Sequence, residues 1–525
     1  MARTELPSSV EALRELALAQ QAVIDEKQAT IEELSELVSF YREWKRLMDS
    51  QRFASKSEKF LPEQGRLFNE AEVEVAAALD AEPTEITVAT HPRQKPKRRP
   101  LPDFLPVREI LHDLPEAEKI CTHDASHRLV RIGCETSDQL AFIPATIEIV
   151  RHIRPQYACP TCKEGVSIAP MPKLPVPKSI ATPSLLAQVA TSKYVDGLPL
   201  YRQEKIFERL GLDLSRATLA SWMVKMGELV EPLMDRIRAE IRGYDFVQCD
   251  ETPFQVLKEP GKRAESSSYL WVLRGGKPEH PLIYYEYDPS RSGEVPKRLL
   301  RGFQGFLQTD GYEGYAAIGR EPGVIHVGCW AHARRKFDEA LRGQGSKESV
   351  KKTAKHTKAR QALAQIQELY AIERSLKEAT PEARLRARQE RSKPVMEKLR
   401  TWLDGSLASV PPQSLTGKAM GYLDRQWPKL IRVLEDGRIP LDTNLVENAI
   451  RPFVVGRKAW LFADTMAGAR ASANLYSLIE TAKANGIEPW RYLNRLFETL
   501  PTAATPEQIE ALLPQHIRAD ALRPR

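Results

Sequence analysis

Two short apolar runs, each leading into an aspartate, constrain this chain more than any other feature: Phe246-Val-Gln-Cys-Asp250 and Gly305-Phe-Leu-Gln-Thr-Asp310. Each reads as a buried strand ending on a carboxylate, and Gly311 after the second permits a sharp exit from the sheet. The acids are sixty residues apart, enough for the hairpin strands and a helix between them. Neighbouring strand ends can therefore bring Asp250 and Asp310 together. Two carboxylates held close repel, and a shared divalent cation is the usual remedy.

Other strand-length apolar runs surround this pair: Tyr269–Leu273, Leu282–Tyr285, Phe306–Gln308 and Val324–Val327, with helix expected from Trp330. Strands first and helices after predict a mixed α/β core. At 525 residues the chain is too long for one ordinary core, so several units are expected. At the start, Val10, Ala17, Ile24, Ile31 and Val38 recur every seven residues, with Leu13 and Leu34 in the companion seam. Gln20 and Lys27 also fall in that seam. The pattern predicts a long helix over 10–48 with a coiled-coil tendency and self-association, although one amphipathic helix packed on its own chain shows a similar stripe. The predicted units are a coiled-coil helix at 1–50, a basic linker at 51–107, a cysteine-bearing module at 108–170 and a helical region at 178–242. An α/β core follows at 243–344, a charge-rich helical insertion at 345–435, the second part of the core at 436–480 and a helical tail at 481–525.

Net charge is modest, 77 basic minus 70 acidic residues giving +7, but it is unevenly placed. His91-Pro-Arg-Gln-Lys-Pro-Lys97-Arg98-Arg99-Pro100 carries no acid, and such a run is either a solvated linker or a sequence-independent phosphate footprint. No apolar run approaches the roughly 18 to 20 residues that span a bilayer, and Met1–Ser9 lacks the pattern of a secretory signal, so a cytoplasmic protein without a membrane partner is expected. In that setting the six cysteines do not form a disulfide framework. Cys159-Pro-Thr-Cys162 instead has the spacing of half a zinc site.

A third acid lies in Leu441-Asp-Thr-Asn-Leu-Val-Glu447-Asn-Ala-Ile-Arg451-Pro452. At helical spacing Asn444, Glu447, Asn448 and Arg451 make a polar stripe, and Leu445, Val446, Ala449 and Ile450 an apolar one. Asn444 and Glu447 could also be a plain capping box, and aspartates at strand ends are common turn formers. Singly, each acid has an ordinary structural use.

The acids do not stand singly. Cys-Asp250-Glu-Thr-Pro, Thr-Asp310-Gly-Tyr-Glu-Gly-Tyr315, Gly-Cys-Trp-Ala-His332-Ala-Arg-Arg-Lys-Phe337, Asn444-Leu-Val-Glu447-Asn-Ala-Ile-Arg-Pro-Phe453 and Gly456-Arg-Lys-Ala-Trp-Leu-Phe462 occur in this order. Together with Phe53-Ala-Ser-Lys-Ser-Glu-Lys59 and Leu198-Pro-Leu-Tyr-Arg-Gln203, they make the chain resemble the insertion-sequence-66 family of bacterial transposases over nearly its whole length. The resemblance implies a ribonuclease-H-like catalytic core with Asp250, Asp310 and Glu447 as ligands for two Mg²⁺ or Mn²⁺ ions. It implies a helical insertion before the last catalytic helix, binding of element ends and target DNA, and metal-dependent strand cleavage and transfer. Small accessory proteins of the same element are possible partners. The rival readings are a non-catalytic DNA-binding derivative and a nuclease of the same fold.

Hard carboxylates suit magnesium, and phosphodiester transfer through metal-activated oxygens needs no covalent protein intermediate. Glu251 is left out of the site because adjacent strand residues face opposite ways. His332, Arg335 and Lys336 share a helix face and, with Arg451, are expected to meet phosphates or the active site, unless the three form a plain basic surface. Residues 202–228 predict helix, turn, helix around Gly211, with Thr218, Ser221 and Lys225 facing DNA in a helix-turn-helix or, alternatively, a scaffold helix pair. For zinc, Cys121 and Asp124 are the expected partners of Cys159 and Cys162. The first half departs from the family's Cys-x-x-Cys, so His123 and Cys134 remain alternatives, as does a metal-free remnant.

Overall fold

The computed structural model describes residues 9–53, 147–153, 156–158, 166–168, 171–343 and 357–517. The chain divides into two compact units, one of residues 79–172 and 524–525, the other of residues 1–78 and 173–523. In the smaller unit, β1 (Gln156–Ala158) and β2 (Val166–Ile168) form a short antiparallel hairpin whose strands bracket residues 159–165 in sequence. Cys121, His123, Asp124, Cys134, Cys159 and Cys162 lie outside the described residues, as do Lys97, Arg98 and Arg99.

The larger unit opens with α1 (Val10–Phe53), a helix of 44 residues. Ile24 and Ile31 of the seven-residue series are 56% and 59% exposed, and Leu34 and Val38 are similarly open. Each side chain of this kind gains roughly 1.5–3 kcal/mol when fully covered, so the seam is a standing driving force for association. Four helices follow residue 180: α2 (Pro183–Tyr194), α3 (Leu200–Arg209), α4 (Arg216–Leu229) and α5 (Glu231–Arg242). Side-chain oxygens of Thr182 and Ser215 cap α2 and α4 by accepting from Leu185 N and Thr218 N. Gly197 and Gly211, with φ of +70° and +80°, occupy the α2–α3 and α3–α4 connections, the second being the turn expected from the sequence.

The sheet comprises β3 (Phe246–Lys258), β4 (Ser267–Lys277), β5 (His280–Asp288), β6 (Gly305–Gln308) and β7 (Val324–Val327), in the order β5-β4-β3-β6-β7. The first three strands form an antiparallel meander, whereas β6 and β7 run parallel to β3, with α6 (Glu294–Leu299) in the crossover. Gly305 starts β6 at a φ of +132°, and a Cβ there would sit 2.3 Å from the carbonyl oxygen of Asp245. Only glycine lets β6 close so tightly on the start of β3.

After α7 (Trp330–Gly343) the inserted residues form α8 (Lys358–Ser375), α9 (Pro381–Ala387), a π-helical turn at Arg388–Ser392, α10 (Lys393–Leu407) and α11 (Leu415–Leu430). These helices share an apolar core with α7, built around Trp330, Phe337, Ile366, Leu399, Met420 and Leu423. The chain then returns as α12 (Asn444–Trp460), β8 (Ala463–Thr465), α13 (Met466–Ala484), α14 (Pro489–Thr499) and α15 (Pro506–Glu510). A second core joins the sheet to α2–α5 and α12–α14 through Trp271, Tyr285, Phe453 and Tyr476.

Three sequence expectations are corrected. β3 does not end at Asp250, because β4 pairs with it from Gln248 to Gln255 and the strand continues to Lys258. The strand runs read from the sequence omit β8, which pairs in parallel with Val256 and Lys258 of β3. Leu445 is 42% exposed and does not belong to the buried stripe of α12, whereas Val446, Ala449 and Ile450 do. α13 runs unbroken through residue 480.

Candidate active site

Register brings the first two acids together. β3 and β6 pair in parallel with Gln248 opposite Gln308, and Asp250 and Asp310 each lie two residues further on. Strand side chains repeat every second residue, so Asp250 shares the face of Gln248. Oδ1 of Asp310 accepts from Tyr312 N at 2.9 Å, fixing the turn after β6. Oδ1 of Asp250 accepts from Glu251 N at 2.9 Å.

The two glutamines are buried and hold the third acid's helix against these strands. Gln248 Nε2 donates to Gln308 Oε1 at 2.7 Å and to Asp442 O at 3.1 Å, and Gln248 Oε1 accepts from Val446 N at 3.1 Å. Gln308 Nε2 donates to Pro440 O at 2.8 Å and to Gly328 O at 3.2 Å. Every amide group in this pair has a partner, as burial requires. The first turn of α12, carrying Glu447, is thereby tied to β3, β6 and the segment before α7.

Asn444 is not the cap. Helix α12 begins at Asn444 and Thr443 precedes it, donating from Oγ1 to Glu447 Oε1 at 2.9 Å rather than accepting from the backbone. The capping-box reading of Asn444 and Glu447 is therefore replaced by a side-chain contact one residue earlier. Asn444, Glu447 and Arg451 are half-buried and Asn448 is exposed along one stripe of the helix.

Charge repulsion is visible in the acids. Burial, followed by the neighbouring charges of Glu251 and Asp310, holds the Asp250 carboxyl well above the usual carboxylate range, and Glu447 adds to the effect. A cation would relieve it. Glu251 is raised by its own burial, against which Tyr315 and Arg291 donate to its oxygens, Arg291 Nη2 at 2.6 Å. Glu251 is thus engaged by an ion pair with Arg291 and a hydrogen bond from Tyr315.

Among the described residues the three acids do not close into a group whose donor atoms all lie within 4.8 Å, whereas Cys329, His332 and Glu447 do. His332 Nδ1 stands 3.9 Å from Glu447 Oε1 and has no hydrogen-bond partner. Burial and then the charge of Arg335 push the His332 pKa down, against the pull of Glu447 and Asp310. Burial pushes the Cys329 thiol up to about 12, so it is neutral. Arg335 and Lys336 are exposed on α7. Thr218, Ser221 and Lys225 line an open cleft of about 390 Å³ with Lys178, Ser179 and Trp222. One face of α4 packs closely on α13, where a Cβ on Gly227 would lie 2.4 Å from Ala471, while Ser221 and Lys225 are exposed on the other.

Gln248, Gln308, Cys329 and Thr443 were not legible as site residues, since none carries charge and only their partners reveal their roles. The one available signal was position: Gln248, Gln308 and Thr443 lie in the acid-bearing stretches, and Cys329 in the motif that carries His332.

The mixed α/β sheet thus carries Asp250 on β3 and Asp310 two residues beyond β6, with Glu447 on the returning helix α12. Residues 178–471 match the model described as "Transposase IS66 family", and the chain belongs to the IS66 family of transposases. Residues 477–515 match the IS66 C-terminal element, 118–163 the zinc-finger binding domain of transposase IS66, and 41–110 the model described as "Transposase C of IS166 homeodomain". Among relatives, the uncharacterized protein y4jD of Sinorhizobium fredii is 34% identical over 458 residues, covering 85% of this chain and 87% of its own. The uncharacterized protein y4qI of the same organism is 33% identical over 442 residues, covering 82% of this chain and 80% of its own. No helix among the described residues is long and apolar enough to cross a membrane.

Proposed function

We propose that this transposase cleaves and joins DNA strands at a site formed by Asp250, Asp310 and Glu447 on a ribonuclease-H-like core. The observation that carries the reading is the Gln248–Gln308 register, which sets two acids side by side on parallel strands while the same glutamines tether the helix of the third. The sheet order, an antiparallel meander followed by two parallel strands, supports it. Mg²⁺ or Mn²⁺, two ions in all, would activate the attacking oxygen and stabilise the leaving one. The protein's own part is to hold hard oxygen ligands in place and to present phosphate contacts: His332, Arg335, Lys336 and Arg451 around the acids, and Thr218, Ser221 and Lys225 on α4. A labelled duplex carrying the element's end, incubated with protein, Mg²⁺ and target DNA, should give joined products. Nicks without joined strands would make the chain a nuclease instead.

Zinc belongs to the smaller unit, with Cys121, Asp124, Cys159 and Cys162 as its proposed ligands. Elemental analysis of protein purified without chelators should find about one zinc per chain, and Cys159→Ser or Cys162→Ser should lose it, because a thiolate pair supplies half a tetrahedral site. A small fraction of one zinc in the parent protein would remove the proposal.

Holding both ends of one element calls for a multimer, and the exposed seam of α1 is the natural contact. Deleting residues 1–50 should lower the sedimentation coefficient by at least one step of assembly, well beyond the loss of mass. Equal oligomeric states at equal concentration would discard that role. Accessory proteins of the element would then act on an assembled complex.

A further inference from the structure

We infer that Thr443, backed by Cys329, is a positioning residue that aims the Glu447 carboxylate, an assignment that rests on reading Glu447 as a metal ligand. Thr443 is buried, and its Oγ1 lies 2.9 Å from Glu447 Oε1 and 3.3 Å from Cys329 Sγ. A hydroxyl has one proton to give, and the carboxylate is the stronger acceptor. The hydroxyl therefore donates to Glu447, leaving its oxygen to face the neutral thiol of Cys329, a weak donor. Thr443 N also donates to Cys329 Sγ at 3.4 Å, so the sulfur grips both the backbone and the side chain of one residue.

These contacts join positions 114 residues apart, across the whole helical insertion. Cys329 immediately precedes α7 and Thr443 immediately precedes α12, and Trp330 N adds a bond to Leu441 O at 2.9 Å. One oxygen of Glu447 is thus pinned from behind by the protein, and the other remains available to a cation. The orphaned Nδ1 of His332 stands 3.9 Å from the same pinned Oε1. Ligand carboxylates held by outer hydrogen bonds lose roughly 10- to 100-fold in metal affinity or activity when those bonds are removed.

The test uses full-length protein and a duplex carrying the element's own terminal sequence, with Mg²⁺ titrated against the cleavage rate and, without DNA, against the rise in melting temperature that Mg²⁺ binding gives. Thr443→Val keeps the side chain's shape and removes its hydroxyl. It should raise the Mg²⁺ concentration for half-maximal cleavage about tenfold, with DNA affinity and melting temperature close to the parent's. Thr443→Ser restores the hydroxyl and should return the titration to within about threefold of the parent, on the same scale. If Thr443→Val does not fold, Cys329→Ala takes its place, with a smaller rise in the same direction. An unchanged Mg²⁺ titration in the folded variant overturns the inference, as does a defect in Thr443→Ser equal to that in Thr443→Val. Glu447→Ala runs alongside: parental cleavage there defeats the ligand reading and this inference together. Loss of cleavage in Glu447→Ala with a parental Thr443→Val defeats the inference alone.

Discussion

If the proposed site is right, Asp250→Ala, Asp310→Ala and Glu447→Ala should each lower cleavage and joining roughly a thousandfold or more while leaving DNA binding intact. A metal ion's charge stabilisation of a transferring phosphoryl group amounts to several kcal/mol, and each 1.36 kcal/mol is a factor of ten. Removing one of three ligands displaces the ions rather than merely weakening a contact, so the three effects should be alike and non-additive. Binding survives because phosphate affinity comes from basic groups elsewhere. It can rise, since a negative charge leaves the neighbourhood of the phosphates. Asp250→Ala should also show the largest gain in thermal stability without metal, because burial and its acidic neighbours oppose its charge in the folded protein. The checks are a cleavage-and-joining assay and a binding titration at one fixed salt concentration. A variant that joins strands at the parent rate removes that residue from the site.

The acids were legible because apolar runs announce strands, and a strand that ends in Asp-Gly or runs into Asp-Glu-Thr-Pro stands out against them. Family resemblance then tied the three together. That neighbouring strand ends could bring Asp250 and Asp310 together was expected, but their alignment was not legible. It depends on the register of Gln248 against Gln308, and in the sequence those glutamines look like ordinary polar residues within strands. Asp250 was misread as a strand end because Glu251 and Pro253 are poor strand signals, yet pairing with β4 carries the strand through them. β8 has three residues, too few for any period to register, and its pairing with β3 is wholly tertiary. Leu445 followed the helical apolar pattern but faces outward, since the preceding turn is set by Thr443 and Gln248 rather than by the helix's own amphipathicity. The heptad series did predict α1 correctly, because a long helix writes its period into the sequence without help from distant residues.

Arg388→Met should destabilise the inserted helices by about 3–5 kcal/mol, the usual consequence of breaking one side of a buried ion pair. Arg388 is fully buried at the start of the π-helical turn. Its Nε and Nη2 meet the two oxygens of Glu373 at 2.7 and 2.9 Å, and Nη1 donates to Val433 O at 2.8 Å and Asp436 O at 3.0 Å. Loss of the guanidinium would strand a carboxylate and two carbonyl oxygens, and no water-sized replacement offers the same fork of donors. The carbonyls belong to the segment through which the chain leaves the insertion and returns to α12. Further along, that segment is tied at Pro440 O by Gln308, at Asp442 O by Gln248 and at Thr443 by Cys329. The return to α12 is therefore built from buried polar side chains, with Arg388 as its first anchor. Replacing both partners, Arg388→Met with Glu373→Leu, should recover much of the loss, because an apolar pair leaves no buried charge uncompensated. Limited proteolysis should find the single variant cut within residues 357–443 and the double variant protected. Denaturant unfolding of the single variant at the parental midpoint would show that the buried pair contributes nothing to holding the insertion in place.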